Sequence, residues 1–167
     1  MAEKETIFSS KVEYNGFFSF KDFYKFCHAW LKEETGLDLI EDKYEEKLAG
    51  DLKELIIDWT GTKEITDYFK YEIKINFKAR RLKEVEIQKA GAKVKTNEGS
   101  IAVTLKGTLV RDYEGKFEKS AGQKFMRSIY EKWVIPARIE EYEGKLAEDC
   151  DEFLGQAKAY LDLEGKK

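Results

Sequence analysis

The 167-residue sequence predicts an α+β domain in which an antiparallel sheet of about five or six strands is covered by two helices. The sheet follows from residues 68–79, which alternate apolar and polar side chains without exception. The helices follow from residues 20–34 and 137–162, where apolar side chains recur at three- and four-residue steps. The first pattern is typical of a strand with one buried face, and the second is typical of amphipathic helices.

The whole chain, residues 1–167, is expected to form a single domain, because its length is that of one domain and no linker-like stretch interrupts it. Charged residues make up 38% of the chain, and 30 Lys and Arg nearly balance 33 Asp and Glu. The two signs are interspersed, so net charge gives no support to a general polyanion-binding role. Many Lys and Glu beside few Asn, Gln and Met resemble thermophile composition, although ordinary drift explains the balance too.

The sequence also predicts the cellular compartment. No apolar run approaches the roughly 18 residues that span a bilayer, and the first residues lack an apolar signal-peptide stretch. Two cysteines, Cys27 and Cys150, do not make a disulfide framework. We therefore expect a cytoplasmic protein with reduced thiols.

The first strand is predicted over residues 5–14, with its end at the turn dipeptide Asn15-Gly16. Ser19 is suited to cap the helix over residues 20–34, because a Ser hydroxyl accepts a hydrogen bond from the first helical turn. Gly36 is placed to end that helix in a left-handed conformation.

Residues 37–113 are predicted to form successive strands joined by short connections, which favours an antiparallel meander. Gly91 suggests a bulge or a bend, and Asn97-Glu98-Gly99-Ser100 suggests a hairpin turn. The predicted strands cover residues 39–48, 53–60, 68–79, 83–89 and 101–111.

Residues 117–163 are predicted to be helical, and Pro136 lies between two apolar runs. Proline removes a backbone donor and clashes with the preceding turn. An unbroken helix over residues 120–162 would be about 65 Å long at 1.5 Å per residue, whereas the expected radius of gyration is about 15 Å. We therefore predict a break or a kink at Pro136 and a long C-terminal helix over residues 137–162.

The order of strand, helix, several antiparallel strands and long C-terminal helix resembles that of helix-grip proteins, the class that includes the START and Bet v 1-like domains. The resemblance implies a strongly curved sheet that encloses a cavity against the last helix. A flatter sheet with both helices on one face fits the same order nearly as well, and it need not enclose a cavity. The sequence leaves both arrangements open.

No constellation of residues indicates catalysis or a metal site. A zinc-type site needs three or four ligands, and the candidates are Cys27, His28 and Cys150. Cys27 and His28 are neighbours on a helix and point about 100° apart, so they cannot easily reach one ion. Glycine-rich phosphate-binding motifs are absent from the sequence. The sequence therefore implies no cofactor and favours a protein that is not an enzyme.

Aromatic residues make up 14% of the chain, and several lie on or near the predicted inward faces. Small-molecule pockets are mostly apolar with a few polar groups that orient the ligand. The leading prediction is therefore non-catalytic binding of an apolar small molecule or lipid in a cavity between sheet and helix. The plainer alternative is that the same rings only fill the core. The candidate cavity residues are Phe23, Trp30, Trp59, Tyr71, Phe77, Met126, Tyr130 and Trp133.

Two further functions stay open. The apolar stripe of the C-terminal helix, or the charged surface, would suit a protein-interaction module that binds itself or another protein. A basic sheet face over residues 70–83 would suit nucleic acid, because residues 63–95 hold ten Lys and Arg against five Asp and Glu. The aromatic residues of that strand point to the opposite face, which argues against base stacking, so nucleic acid is disfavoured as a partner and ranks third among the functions. The candidate basic residues are Lys70, Lys74, Lys78, Arg80, Arg81 and Lys83.

Overall fold

The structure is a computed structural model that describes residues 3–66, 68–111, 121–129, 132 and 136–165. Within these ranges five strands and three α-helices confirm the predicted antiparallel α+β class. In chain order they are β1 (Glu3–Phe18), α1 (Phe20–Thr35), β2 (Asp38–Ala49), β3 (Leu52–Glu64), β4 (Phe69–Lys89), β5 (Ala92–Arg111), α2 (Ala121–Ile129) and α3 (Pro136–Gly165).

The five strands form one sheet in the order β1-β5-β4-β3-β2, and every neighbouring pair is antiparallel. Strands β2 to β5 make a meander, and β1 adds beside β5. Strands β1 and β2 are therefore the two edges of the sheet, and α1 connects them. None of the helices in the described ranges is long and apolar enough to cross a membrane.

The alternation over residues 68–79 gives the sheet two different faces. The apolar side chains of β4 from Phe69 to Ala79 are all buried on the face that carries the helices, which we call the inner face. The polar side chains lie on the opposite, outer face, where Lys74 and Lys78 are exposed. The buried inner-face residues of β4 are Phe69, Tyr71, Ile73, Ile75, Phe77 and Ala79.

The predicted hairpin turn at Asn97-Glu98-Gly99-Ser100 is wrong, because these residues lie inside β5 and pair with both β1 and β4. The hairpin turn is at Ala90-Gly91, where φ is 54° and 80°. Two central residues with positive φ match the twist of the flanking strands. The predicted strands 68–79 and 83–89 are consequently one strand of 21 residues.

A bulge explains why residues 97–100 look like a turn. The register of β4 against β5 shifts between Arg80 and Lys83, and Arg81 has a φ of 53°. A Cβ on Gly99 would lie 2.9 Å from the carbonyl oxygens of both Arg80 and Arg81, so only glycine fits there. Gly16 pairs with Gly99 on the other side. The end of β1 predicted at Asn15-Gly16 is therefore wrong as well, and β1 continues to Phe18.

Helix α1 begins after Ser19, whose Oγ accepts a hydrogen bond from the Asp22 backbone N–H at 3.4 Å. It ends at Gly36, which has a φ of 72° in the left-handed region. The helix packs on the inner face through two ring contacts. Phe23 lies 6.3 Å from Phe77, and Tyr24 lies 5.1 Å from Trp59, between ring centroids.

Helix α3 packs on β1 and β5 and also contacts α1. A Cβ on Gly107 of β5 would lie 2.8 Å from the Cys150 Sγ, so the missing side chain lets the helix approach the strand closely. Helix α3 begins at Pro136. The break or kink predicted at Pro136 stays a prediction, because residues 133–135 just before it lie outside the described residues. The buried apolar stripe of α3 consists of Leu146, Cys150, Phe153, Ala157 and Leu161.

Candidate functional site

The predicted cavity residues occupy different places in the structure. Phe23, Trp59 and Phe77 are buried and contact one another, with ring centroids 6.3 Å apart for Phe23 and Phe77 and 4.7 Å apart for Trp59 and Phe77. The half-buried Trp30 packs on Phe153 of α3. These four predicted residues therefore take part in the contacts between helices and sheet.

The remaining predicted residues lie apart from this cluster or outside the described ranges. The hydroxyl of the buried Tyr71 donates a hydrogen bond to the Tyr142 backbone oxygen at 2.9 Å, which ties β4 to α3. Met126 lies on α2 and is 58% exposed. Tyr130 and Trp133 lie outside the described residues.

A groove of about 480 Å³ opens beside the aromatic cluster, between α1 and the ends of β2 and β3. Its volume is in the range of small-molecule sites, about 300–1,000 Å³. Three buried apolar residues form the floor, namely Phe20, Leu55 and Leu82. The walls are formed by Lys21, Tyr24, Lys25, Glu41, Tyr44, Lys53 and Asn97.

Glu41 is the polar centre of one wall. Its Oε1 accepts hydrogen bonds from the Tyr24 hydroxyl at 2.5 Å and from Trp59 Nε1 at 3.3 Å. Glu41 lies opposite Trp59 in the β2–β3 register, just before a bulge between Glu41 and Lys43. Burial, together with the hydrogen bond to Glu41, raises the pKa of Tyr24 to about 12. The Tyr24 phenol therefore keeps its proton into alkaline pH and donates it to Glu41 in the wall of the groove.

Three lysines line the groove. Lys21 and Lys25 are exposed and one helical turn apart on α1, and neither has an ion-pair partner among the described residues. Lys53 differs, since its Nζ lies 2.7 Å from Glu46, whose hydrogen bond raises the Lys53 pKa. The groove thus combines an apolar floor with two ammonium groups on α1 that are available to a negatively charged ligand.

Asn97 closes the groove near the start of α1. Its Oδ1 accepts a hydrogen bond from the Phe20 backbone N–H at 3.0 Å, which links β5 to the helix N-terminus. Tyr24, Glu41 and Asn97 were not predicted as site residues from the sequence. One signal in the sequence was available for Tyr24, because it follows Phe23 on a helix whose apolar face was already identified.

The predicted basic residues lie on the outer face of the sheet or at the bulge. Lys74, Lys78 and Arg80 are exposed on β4. Lys74 pairs directly with Lys106 of β5 across the β4–β5 register. Further along β4, Lys83 lies 3.8 Å from Asp51. Lys70 is half-buried on the same strand, and Arg81 adopts the positive φ of the bulge.

The apolar stripe of α3 and the ring of His28 both pack against other parts of the protein. The apolar stripe of α3, which an interaction helix would expose, is buried from Leu146 to Leu161. The half-buried ring of His28 lies edge-on to Trp59, with centroids 5.5 Å apart.

Comparisons with known proteins add little to this geometry. No protein-family model matches the chain, and no curated protein matches it. Among solved structures, the chain resembles the di-domain ARO/CYC StfQ from the steffimycin biosynthetic pathway, with 8% identity and a TM-score of 0.29. The match covers 95% of this chain and 52% of that protein, so the chain spans about half of its length. A function has to be argued from the residues of the groove themselves.

Proposed function

We propose that this protein binds, without catalysis, an apolar small molecule that carries a negatively charged group. The observation that carries the proposal is the groove between α1 and the β2–β3 ends, with its apolar floor and two lysines to which the described residues offer no ion-pair partner. The order of the elements, and the position of α3 over β1 and β5, also support the helix-grip-like arrangement predicted from the sequence.

The apolar body of the ligand would lie on Phe20, Leu55 and Leu82. Each methylene group removed from water there contributes roughly 0.8 kcal/mol. The exposed ring of Tyr44, 52% accessible, would cover the ligand from the β2 side. An aromatic ring adds contact area at small cost in side-chain entropy, because it has only two rotatable bonds.

The charged group of the ligand would lie at Lys21 and Lys25. A carboxylate or phosphate accepts charge-assisted hydrogen bonds from ammonium groups, which are about twice as strong as neutral ones. Glu41 is already bonded to Tyr24 and Trp59, so it shapes the wall and excludes a second anion from that side. The site therefore distinguishes an acid from the matching alcohol.

Isothermal titration with dodecanoate and with dodecanol tests the proposal, since the two ligands share one chain and differ in charge. We expect dodecanoate to bind about tenfold more tightly, which corresponds to about 1.4 kcal/mol. Lys25→Glu should remove this preference. The matched control is Lys32→Glu, which makes the same charge change on the exposed last turn of α1, outside the groove.

Tyr44→Ala should weaken both ligands, because it removes apolar contact and no charge. The proposal is wrong if Lys25→Glu and Lys32→Glu weaken dodecanoate equally, since the effect would then come from net charge alone. It is also wrong if neither ligand binds the unmodified protein below about 1 mM, which is only about −4 kcal/mol of binding free energy.

A further inference from the structure

A strip of four cations runs along the outer face of the sheet, on the side away from the groove. It consists of Lys74, Lys78 and Arg80 of β4 and Lys106 of β5. All four side chains are exposed. In the part of the chain that the structure describes, none of them has a carboxylate within ion-pair distance. We call these four residues the basic strip.

The cations around the basic strip behave differently. Lys4 lies 3.5 Å from Glu72, and Lys11 lies 2.9 Å from Glu13. Two acidic residues of the outer face, near Lys74, are themselves engaged by neutral donors. Asp58 accepts a hydrogen bond from Asn76 Nδ2 at 2.5 Å, and Asp42 accepts one from Thr60.

Lys74 and Lys106 are directly opposite each other in the β4–β5 register. Like charges at directly opposed positions of a sheet destabilise it. A phosphate group lying between them would replace this repulsion with two charge-assisted hydrogen bonds. The arrangement therefore costs stability in the free protein and is relieved by an anion.

A groove of about 570 Å³ lies beside the strip, across β1, β5 and β4. Its lining combines Lys78 and Arg80 with the ion pair of Lys11 and Glu13 and with neutral polar side chains. Hydroxyl and amide groups of this kind are common partners of phosphate oxygens in nucleic-acid complexes. The neutral polar side chains are Asn15, Asn76, Ser100 and Thr104, of which Asn76 already donates to Asp58 and Ser100 to the Arg80 backbone oxygen.

We propose that the basic strip binds the phosphate backbone of double-stranded nucleic acid without reading its sequence. The aromatic side chains of β4, such as Tyr71 and Phe77, are buried on the inner face. The four residues of the strip therefore offer no ring on which the bases of a single strand would stack, and the half-buried Tyr14 of the neighbouring groove packs edge-on against Phe18. Its contacts are to phosphate only, and such contacts carry no sequence information.

Fluorescence anisotropy with a labelled 20-base-pair DNA duplex tests the proposal. Four neutralised phosphates give a slope of log K against log salt of about −3.6, so affinity should fall about 50-fold between 50 and 150 mM salt. Removing two charges with Lys74→Gln and Lys106→Gln should reduce the slope to about −1.8 and the fall to about 7-fold. The double variant Lys145→Gln and Lys158→Gln removes two charges from α3, away from the sheet face, and should leave the slope unchanged.

Three results would overturn the proposal. One is an equal change of slope in the α3 variant, and another is tighter binding to a single strand of the same length than to the duplex. The third comes from sedimentation of the protein alone. If it self-associates at low salt and the strip variant does not, the strip binds exposed acidic residues of a second copy, such as Glu148 and Glu152 of α3. Circular dichroism and thermal unfolding of both double variants establish that a smaller slope of log K against log salt does not result from unfolding.

Discussion

Gly107→Ala tests the closest approach between helix and sheet in this fold. The added Cβ would lie 2.8 Å from Cys150 Sγ, 3.4 Å from Leu146 Cγ and 3.6 Å from Leu146 Cδ1. Apolar heavy atoms are normally about 3.5–4.0 Å apart, so either α3 or the Cys150 side chain has to move by roughly 1 Å. Overpacking of this kind costs about 1–3 kcal/mol.

The low stability of glycine in a strand opposes the overpacking cost. Glycine in a strand is less stable than alanine by roughly 0.5–1 kcal/mol, and Gly107 is not among the glycines with positive φ. The backbone therefore accepts alanine, and the net loss should be about 1–2 kcal/mol. Urea unfolding gives this difference as a change in the midpoint with an unchanged slope.

Cys150→Ala tests whether the Cys150 Sγ causes the loss of stability expected for Gly107→Ala. It removes the sulfur that the new Cβ would meet, and alone it should cost about 1 kcal/mol through the small cavity it leaves. In the Gly107→Ala and Cys150→Ala double variant the methyl group fills that cavity. The two losses should then fall short of additivity by about 1 kcal/mol or more.

Gly144→Ala is the control on the exposed side of α3, where a new Cβ meets nothing within 4 Å. It should stabilise the protein by up to about 1 kcal/mol, since alanine is the better helix former. A neutral or stabilising Gly107→Ala would refute the close approach of α3 to β5. Strict additivity with Cys150→Ala would refute the contact between these two residues.

Three more predictions concern charge, thiols and alkaline pH. Lys106→Glu should raise the free energy of unfolding by about 0.2–1 kcal/mol, because it pairs Lys74 with an opposite charge, and urea unfolding in 1 M salt should show a smaller gain. Burial raises the pKa of Cys27 and raises that of Cys150 to about 12, so Ellman's reagent at pH 8 should label both thiols only on unfolding. The Tyr24 pKa is raised to about 12. The stabilisation that the protonated Tyr24 gives to the folded protein is therefore complete below about pH 10, the ordinary pKa of tyrosine. This stabilisation is lost as pH rises towards 12. Unfolding curves across that interval should show a smaller alkaline loss in Tyr24→Phe.

The sequence predicted the parts of the fold that depend on local pattern. The alternation from Phe69 to Ala79 identifies the two faces of β4, because successive side chains of a strand point to opposite sides. The limits of α1 follow from Ser19 and Gly36 in the same way, since cap and stop signals lie within a few residues of the helix ends. These features needed no knowledge of distant residues.

The bulge could not be predicted, because it depends on residues far apart in the chain. Asn97-Glu98-Gly99-Ser100 has a composition that suits a turn as well as it suits a bulge. The close approach of Arg80 and Arg81 to Gly99 decides between them, and it appears only once β4 and β5 are paired. Conversely, Ala90-Gly91 is a weak turn signal, because alanine seldom adopts positive φ.

The candidate site could not be predicted from the sequence either, because it also depends on residues that are far apart in the chain. Glu41 stands in a segment that is nearly all charged, and the sequence does not show which of these side chains turns towards the helix. The β2–β3 register opposite Trp59 decides this. Glu41 itself is exposed, and its place opposite Trp59 brings its carboxylate within hydrogen-bond reach of the Tyr24 hydroxyl and the Trp59 Nε1.

Trp59 connects the aromatic cluster with the groove. Its ring is 2% exposed and packs on Phe77, while its Nε1 donates to Glu41 in the groove wall. An aromatic stripe alone does not distinguish rings that fill a core from rings that line a site. The indole N–H of a tryptophan distinguishes the two cases, because a buried N–H needs an acceptor and that acceptor lies where the core ends. Of the predicted aromatic residues that the structure describes, Trp59 is therefore the one whose polar atom reaches from the core to the groove wall.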